Sequence, residues 1–226
     1  EIVKYSPLEK PLYDNEKLST YHYLEQVGEN ETEDNAHYAT SLISGICKQP
    51  NQELASHTYS HYYCKEAGQT KETFAADLLA AQKIAKDKFG VELKSLILPR
   101  NQFTEDYAEI IKQAGFVAVR GNPESIAYHG RKLLPRALRL VDTYIGVCGR
   151  KSYQLQSVGK DIPVNIKAST FFRKYNKKLA FLEWAKVAHI KREMRYAAKN
   201  GIIYHLWWHP HNIGVRTEEH LNQLEE

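Results

Sequence analysis

Ser95-Leu96-Ile97-Leu98-Pro99-Arg100-Asn101-Gln102 decides how the rest of this chain reads. A short, wholly apolar run that ends abruptly in a proline, a cation and two amides has the pattern of a strand buried on both faces. Upstream, Gly68-Gln69-Thr70 punctuates the chain, and Phe74, Leu78, Ala81, Ile84, Ala85 and Phe89 recur at helical spacing up to Gly90. Thr70 is a good N-cap, but Thr73 stands where a capping box wants Glu or Gln, so that box reads as incomplete. Downstream, a helix from Thr104 to Ala114 stops at Gly115. Phe116 to Val119 is a second apolar strand, and it delivers Arg120-Gly121-Asn122. Short apolar strands alternating with amphipathic helices predict parallel βαβ units. Ligands in such folds bind outside the carboxyl ends of the strands.

The same alternation extends outward. Residues 1–35 read as irregular, broken by Pro7, Pro11, Gly28 and an acidic run from Glu29 to Asp34. Asn35 to Cys47 predicts a helix with Ala39, Leu42, Ile43 and Ile46 on one face. Glu53 to Ser56 predicts a short strand that delivers His57. Residues 123–175, with Pro123, Pro135 and Pro163 and Gly130, Gly146, Gly149 and Gly159, predict loops around short strands. Asn176 to Asn200 returns to helical periodicity. Ile202 to Trp208 predicts the last strand, delivering His209-Pro210-His211-Asn212, and a closing helix begins near Thr217.

Composition narrows the function classes. The chain has 226 residues, 42% of them hydrophobic, with a formal net charge of +4 and a mean hydropathy of -0.55. It is long enough for one large domain with a sizeable core. No apolar run approaches the ~18 residues of a membrane span. The charge is too mild and dispersed to argue for nucleic acid. Cys47, Cys64 and Cys148 are an odd number without metal-type pairing, which points to a reducing, cytoplasmic compartment. Cys64 either lines the site next to His61 or is a buried, inert thiol.

His57-Thr58-Tyr59-Ser60-His61 carries the chemistry. Two imidazoles four residues apart can aim at one divalent ion if the segment turns helically. The alternative is a polar turn with exposed rings. His209 ends the last strand, either as a proton-transfer group or as a structural histidine on a backbone carbonyl. Arg100 either orients a catalytic carboxylate or bridges a carboxylate structurally. Trp207 and Trp208 point to opposite faces of a strand.

In this order, the motifs resemble those of NodB-type polysaccharide deacetylases, a carbohydrate esterase family, over roughly residues 36–226. His57-Thr-Tyr-Ser-His61 is similar to the family's metal-binding histidine pair. Leu98-Pro99-Arg100-Asn101-Gln102 sits where the family carries its arginine motif, and His209 resembles its catalytic histidine. The likeness is to a branch that serves surface-polysaccharide biosynthesis. The family opens with an aspartate pair on its first strand, one the general base and the other a metal ligand. No such pair lies upstream of His57, since Asp14 and Asp34 follow no apolar run. Either the native N-terminus, with its first strand or strands, lies outside this stretch, which is the expectation, or the branch has lost that motif.

The resemblance implies a distorted (β/α) barrel, with an irregular segment at 1–35 and the deacetylase domain at 36–226. It implies removal of N-acetyl or O-acetyl groups from a carbohydrate. The divalent cofactor is expected to be zinc, with cobalt or nickel as alternatives, held by His57 and His61. His209 is the expected general acid and Arg100 the group that tunes the base. Asn101, Arg120, Trp208 and Asn212 are expected sugar contacts. His211 and Asp142 are expected to support His209, Asp142 by pairing with it or with Arg120. A non-catalytic sugar-binding domain and an amidohydrolase acting on a small amide are the competing functions. No partner besides the carbohydrate is implied.

Overall fold

The computed structural model describes residues 2–123, 133–159 and 161–226; Gly130, read as part of a loop, lies outside them. The chain forms two compact units, Glu1–Arg120 with Lys160–Asn165, and Gly121–Gly159 with Ile166–Glu226. Each is described by itself.

The first unit begins with the short helix α1 (Ile2–Tyr5) and two 3-10 turns, Glu16–Leu18 and Thr20–Gln26. The stretch read as irregular thus has local helical turns. Helix α2 (Thr40–Lys48) starts later than expected and buries no residue. Leu42 and Ile46 on its apolar face are exposed. Helix α3 (Lys71–Phe89) is as the periodicity predicts, from N-cap Thr70 to Gly90 at φ 67°. Its capping box is complete, a correction. The Thr73 hydroxyl accepts from the Thr70 amide at 3.1 Å and the Thr70 hydroxyl from the Thr73 amide at 3.3 Å, so a threonine does the work of the expected Glu.

Strands β1 (Ser95–Leu96), β2 (Ala118–Val119) and β3 (Val164–Asn165) form a parallel sheet in that order. Ser56 adds a parallel bridge to Leu96. Helix α4 (Ala108–Gln113) follows a 3-10 turn at Glu105–Tyr107 and makes the crossover from β1 to β2. Tyr62, Phe74, Leu78, Leu96, Ile111 and Phe116 have no exposed surface and form the core of this unit. Burying each such side chain contributes roughly 1.5–3 kcal/mol. Gly68 (φ 88°) lets the N-terminal segment close on this core, because a Cβ there would sit 1.8 Å from the Leu12 carbonyl oxygen.

The second unit holds helix α5 (Leu133–Ile145) and the parallel pair β4 (Thr170–Phe171) and β5 (Leu206–Trp207). Helices α6 (Ala180–Asn200), α7 (Pro210–Ile213) and α8 (Thr217–Glu225) complete it. The α5 and α6 helices pack against each other. Val187, Ile190 and Ala197 are buried as the periodicity requires, but the same face of α6 also buries Glu183 and Lys186 as an ion pair at 2.5 Å. Tyr144, Asn176 and Gln223 donate to Glu183, and Lys186 donates to the Arg173 carbonyl. A buried pair of this kind persists because its remaining lone pairs and protons are satisfied.

The chain is mixed α/β with small parallel sheets. Among the described residues no closed barrel is formed. The strands are shorter than expected: Glu53–Ser56 contributes one bridge, and Ile202–Trp208 two ladder residues and an antiparallel bridge from Ile203 to Tyr153. No helix among the described residues is long and apolar enough to cross a membrane.

Candidate functional site

His57, Arg100 and Arg120 each follow the carboxyl end of a strand position in the first sheet, as the alternation predicts. The parallel register of Ser56, Leu96 and Val119 fixes that shared edge.

The His57–His61 loop is built from its side-chain acceptors. Asp77 on α3 is fully buried. It accepts from the Tyr59 amide at 2.8 Å, the Ser60 amide at 3.0 Å and, in a short bond, the Ser60 hydroxyl. The Thr58 hydroxyl accepts from the Tyr62 amide at 2.7 Å. So held, the two histidine rings stand 4.9 Å apart at 68°, both exposed. His57 Nδ1 lies 2.6 Å from the Ile97 carbonyl oxygen. A carbonyl only accepts, so Nδ1 carries the proton and a neutral ring keeps its lone pair on Nε2, the ligand form of a metal-binding histidine. The donor chemistry therefore fits two of an ion's ligands. Among the described residues no group of three or more His, Cys, Asp or Glu converges on one point.

Backbone strain marks the same two loops. Thr58 (φ 67°), His61 (φ 55°), Arg100 (φ 54°) and Asn101 (φ 50°) are all left-handed, and Asn51 and Arg216 are the other described non-glycine residues at positive φ. Each such residue costs of order 1–3 kcal/mol and persists only where its surroundings impose it, commonly at binding sites.

Arg100 donates to Glu66 at 3.0 Å, and its guanidinium lies 4.4 Å from the Tyr63 ring centroid. Gln102 donates to the same Glu66 oxygen at 3.1 Å and accepts from the Lys65 amide. Arg100 thus holds a carboxylate from just beyond the histidine loop, which joins the two motifs. Arg120 donates to the Asn101 side-chain oxygen at 3.1 and 3.3 Å. Burial pushes its guanidinium down to about 10, still charged at neutral pH. Cys64 is buried, and burial pushes its thiol up to about 12, so it is an inert thiol. A cavity of about 470 Å³ opens beside His57, walled by Leu54, Tyr59, Ala81 and Phe89 and by Tyr38 and Ile43.

The Asp14 backbone amide pins the N-terminal segment to Ala67, and the Asp34 carboxylate accepts from Gly28, Ala36 and His37 in its own loop.

His209, Asp142, Trp208, His211 and Asn212 lie in the second unit. His209 follows β5 and caps α7, with the Asn212 amide donating to its carbonyl. Its ring stands 5.6 Å from Phe171 and 5.4 Å from Trp207, and it stacks on His211 at 5.2 Å and 17°. His209 and Trp207 line a cavity of about 230 Å³ with Asp142. Trp208 is exposed, near Phe172. Asp142, expected to pair with His209 or Arg120, takes Lys151 in a buried ion pair and the Cys148 amide at 2.7 Å.

The sequence reading missed Asp77 and Glu66. Asp77 had a visible signal, a carboxylate on the apolar Phe74–Leu78–Ala81 face of a helix. Burial pushes it up to about 6, against the hydrogen bonds from Ser60 and Tyr59. A carboxyl group raised on folding stabilises the native state below its unfolded pKa, and that contribution is lost as pH rises through the folded one. Between pH 4 and 7 the stability advantage of wild type over Asp77→Asn should therefore narrow, by up to about 3 kcal/mol. Urea unfolding of both proteins at the two pH values measures it; a gap that stays constant or widens contradicts the assignment.

The comparisons with known proteins agree with the first unit. Residues 19–119 match the family model described as polysaccharide deacetylase. No curated protein and no solved structure matches the chain. The matched segment contains the paired histidines, the Asp77 brace and the Arg100–Glu66 pair, and over residues 19–119 the chain is similar to the polysaccharide deacetylase family.

Proposed function

We propose that the protein is a metal-dependent deacetylase, removing N-acetyl or O-acetyl groups from a surface polysaccharide or its sugar precursor on a distorted (β/α) barrel of the NodB type. The observation that carries the reading is the His57–His61 pair, with its tautomer set by Ile97 and its loop held in left-handed backbone by buried Asp77. Zinc, or cobalt or nickel in its place, would be held by His57 and His61. When bound, such an ion polarises the acyl carbonyl and lowers the pKa of a water ligand. Arg100 orients the Glu66 carboxylate. His209 is the proposed donor of a proton to the leaving group. Asn101, Arg120, Trp208 and Asn212 are the proposed sugar contacts, with His211 and Asp142 in support of His209.

A second reading, a sugar-binding domain without catalysis, is favoured by the lack of a third converging ligand among the described residues. Two imidazoles alone hold an ion weakly. Acetate release from an N-acetylated oligosaccharide separates the readings. The deacetylase reading expects release that a chelator abolishes and added zinc, cobalt or nickel restores. Saccharide binding without release at any metal concentration would establish the second reading. Release from a small amide but not from the saccharide would make the protein an amidohydrolase of another class.

A further inference from the structure

Helix α6 inverts the usual pattern at its N-terminal end. It buries an ion pair, Glu183 with Lys186, while it leaves Phe181 69% and Trp184 71% exposed. Three residues apart on a helix, the two aromatic side chains lie on one face. The same stripe runs back through Lys177 and forward to Ala188, both exposed. Single apolar residues at a surface are ordinary, but two large rings side by side mark an interaction surface.

The chain that enters this face is basic. From Ile162 to Leu182 it carries Lys167, Arg173, Lys174, Lys177 and Lys178 and no carboxylate. Lys174, Lys177 and Lys178 are exposed, and the turn Lys177–Leu179 runs directly into α6. Among the described residues none of these three lysines joins an ion pair. Two carboxylates that the fold brings to this segment have cations of their own. Glu183 takes Lys186, and Glu219 takes Arg216 at 2.7 Å, beside the His220 ring that accepts from the Tyr175 amide. Positive charge and apolar rings therefore lie together on one exposed segment.

That mixture decides between partners. Protein interfaces favour aromatic residues and arginine but are depleted of lysine. An anionic lipid surface takes both parts: Trp and Phe enter the boundary between headgroups and acyl chains, and lysines stay at the phosphates. We propose that Lys174, Lys177, Lys178, Phe181 and Trp184 form a face of the second unit that docks on an anionic membrane surface. The contact is peripheral, because Lys186, Ile190 and Ala197 on the opposite face of α6 are buried in the fold. It does not rest on the deacetylase reading.

Co-sedimentation of the intact protein with vesicles tests it, using phosphatidylcholine alone or with about 30% phosphatidylglycerol. At low salt the anionic vesicles should bind about 10²-fold more tightly, at about fivefold for each lysine, and the preference should shrink as salt is raised. Lys174→Gln, Lys177→Gln and Lys178→Gln combined should remove the preference. Phe181→Ser with Trp184→Ser should weaken binding by about tenfold or more. Trp184 fluorescence should shift to the blue with anionic vesicles, and Trp184→Phe should lose the shift while it still binds. All five positions are exposed, and thermal unfolding checks that each variant is folded. Absence of binding, equal binding to both vesicle types, or binding that survives both sets of substitutions overturns the proposal. Self-association without vesicle binding, abolished by Phe181→Ser with Trp184→Ser, overturns it too and gives the face to a second copy of the chain.

Discussion

His57→Ala combined with His61→Ala takes zinc binding to background, in chelator-free protein titrated with zinc and analysed for bound metal. The expectation follows from how few protein donors the first unit presents. Nothing else among its described residues joins the two rings as a third or fourth His, Cys, Asp or Glu ligand, so no neighbour compensates for their loss. Weakening even the groups that orient a ligand costs about 10–100-fold in affinity, and removing both ligands should exceed about 10³-fold. Both rings are exposed, so the fold itself loses little. His61 sits at φ 55°, a conformation Asn tolerates better than Ala. His61→Asn with His57→Ala is therefore a second variant with less backbone strain. Unchanged zinc content in both folded variants would place the ion elsewhere in the protein.

What the sequence made legible is burial and order. The apolar runs at 95–98 and 116–119 read as strands, and residues of both are buried: Leu96, Leu98, Phe116 and Val119 are enclosed, whereas Val117 is 41% exposed. The ladders are only two residues long, because apolar character reports enclosure and says nothing of whether a neighbouring backbone lies at pairing distance. β3 falls in the stretch 123–175 that reads only as loops around short strands, and its position is not legible for the complementary reason. Val164-Asn165 is too short to show a period of two, and its place beside β2 comes from the chain's return at 160–165. The histidine loop was legible as a motif, but not its support. Glu66 is an ordinary loop carboxylate in the sequence, and Asp77 shows only that it lies on the apolar face of a helix. Their destinations, the Tyr59 and Ser60 amides and Arg100, exist only once α3 packs beside the first sheet. Asp142 shows the same limit: its partner Lys151 is nine residues away, across a turn that spacing alone does not close.

His209→Ala should lower kcat by about 10²–10⁴-fold, the usual contribution of general acid–base catalysis, with zinc content unchanged. Imidazole is the side chain that gives and takes protons near neutrality, and the leaving group of a deacetylation must be protonated to depart. His209 is presented by a strand end and a helix cap rather than by a long loop, and it lines a cavity beside Trp207 and Phe171. A side chain so placed can be fixed with little loss of further freedom on binding. His211 stacks on it at 5.2 Å but is absent from that cavity's lining, so His211→Ala should cost less than about tenfold. The split between kinetic constants carries the argument. Loss of a transition-state proton donor lowers kcat and kcat/KM together, whereas loss of a sugar contact raises KM at nearly constant kcat. A His209→Ala enzyme with normal kcat and raised KM would make His209 a sugar-binding residue, and the proton would then have to come from another group.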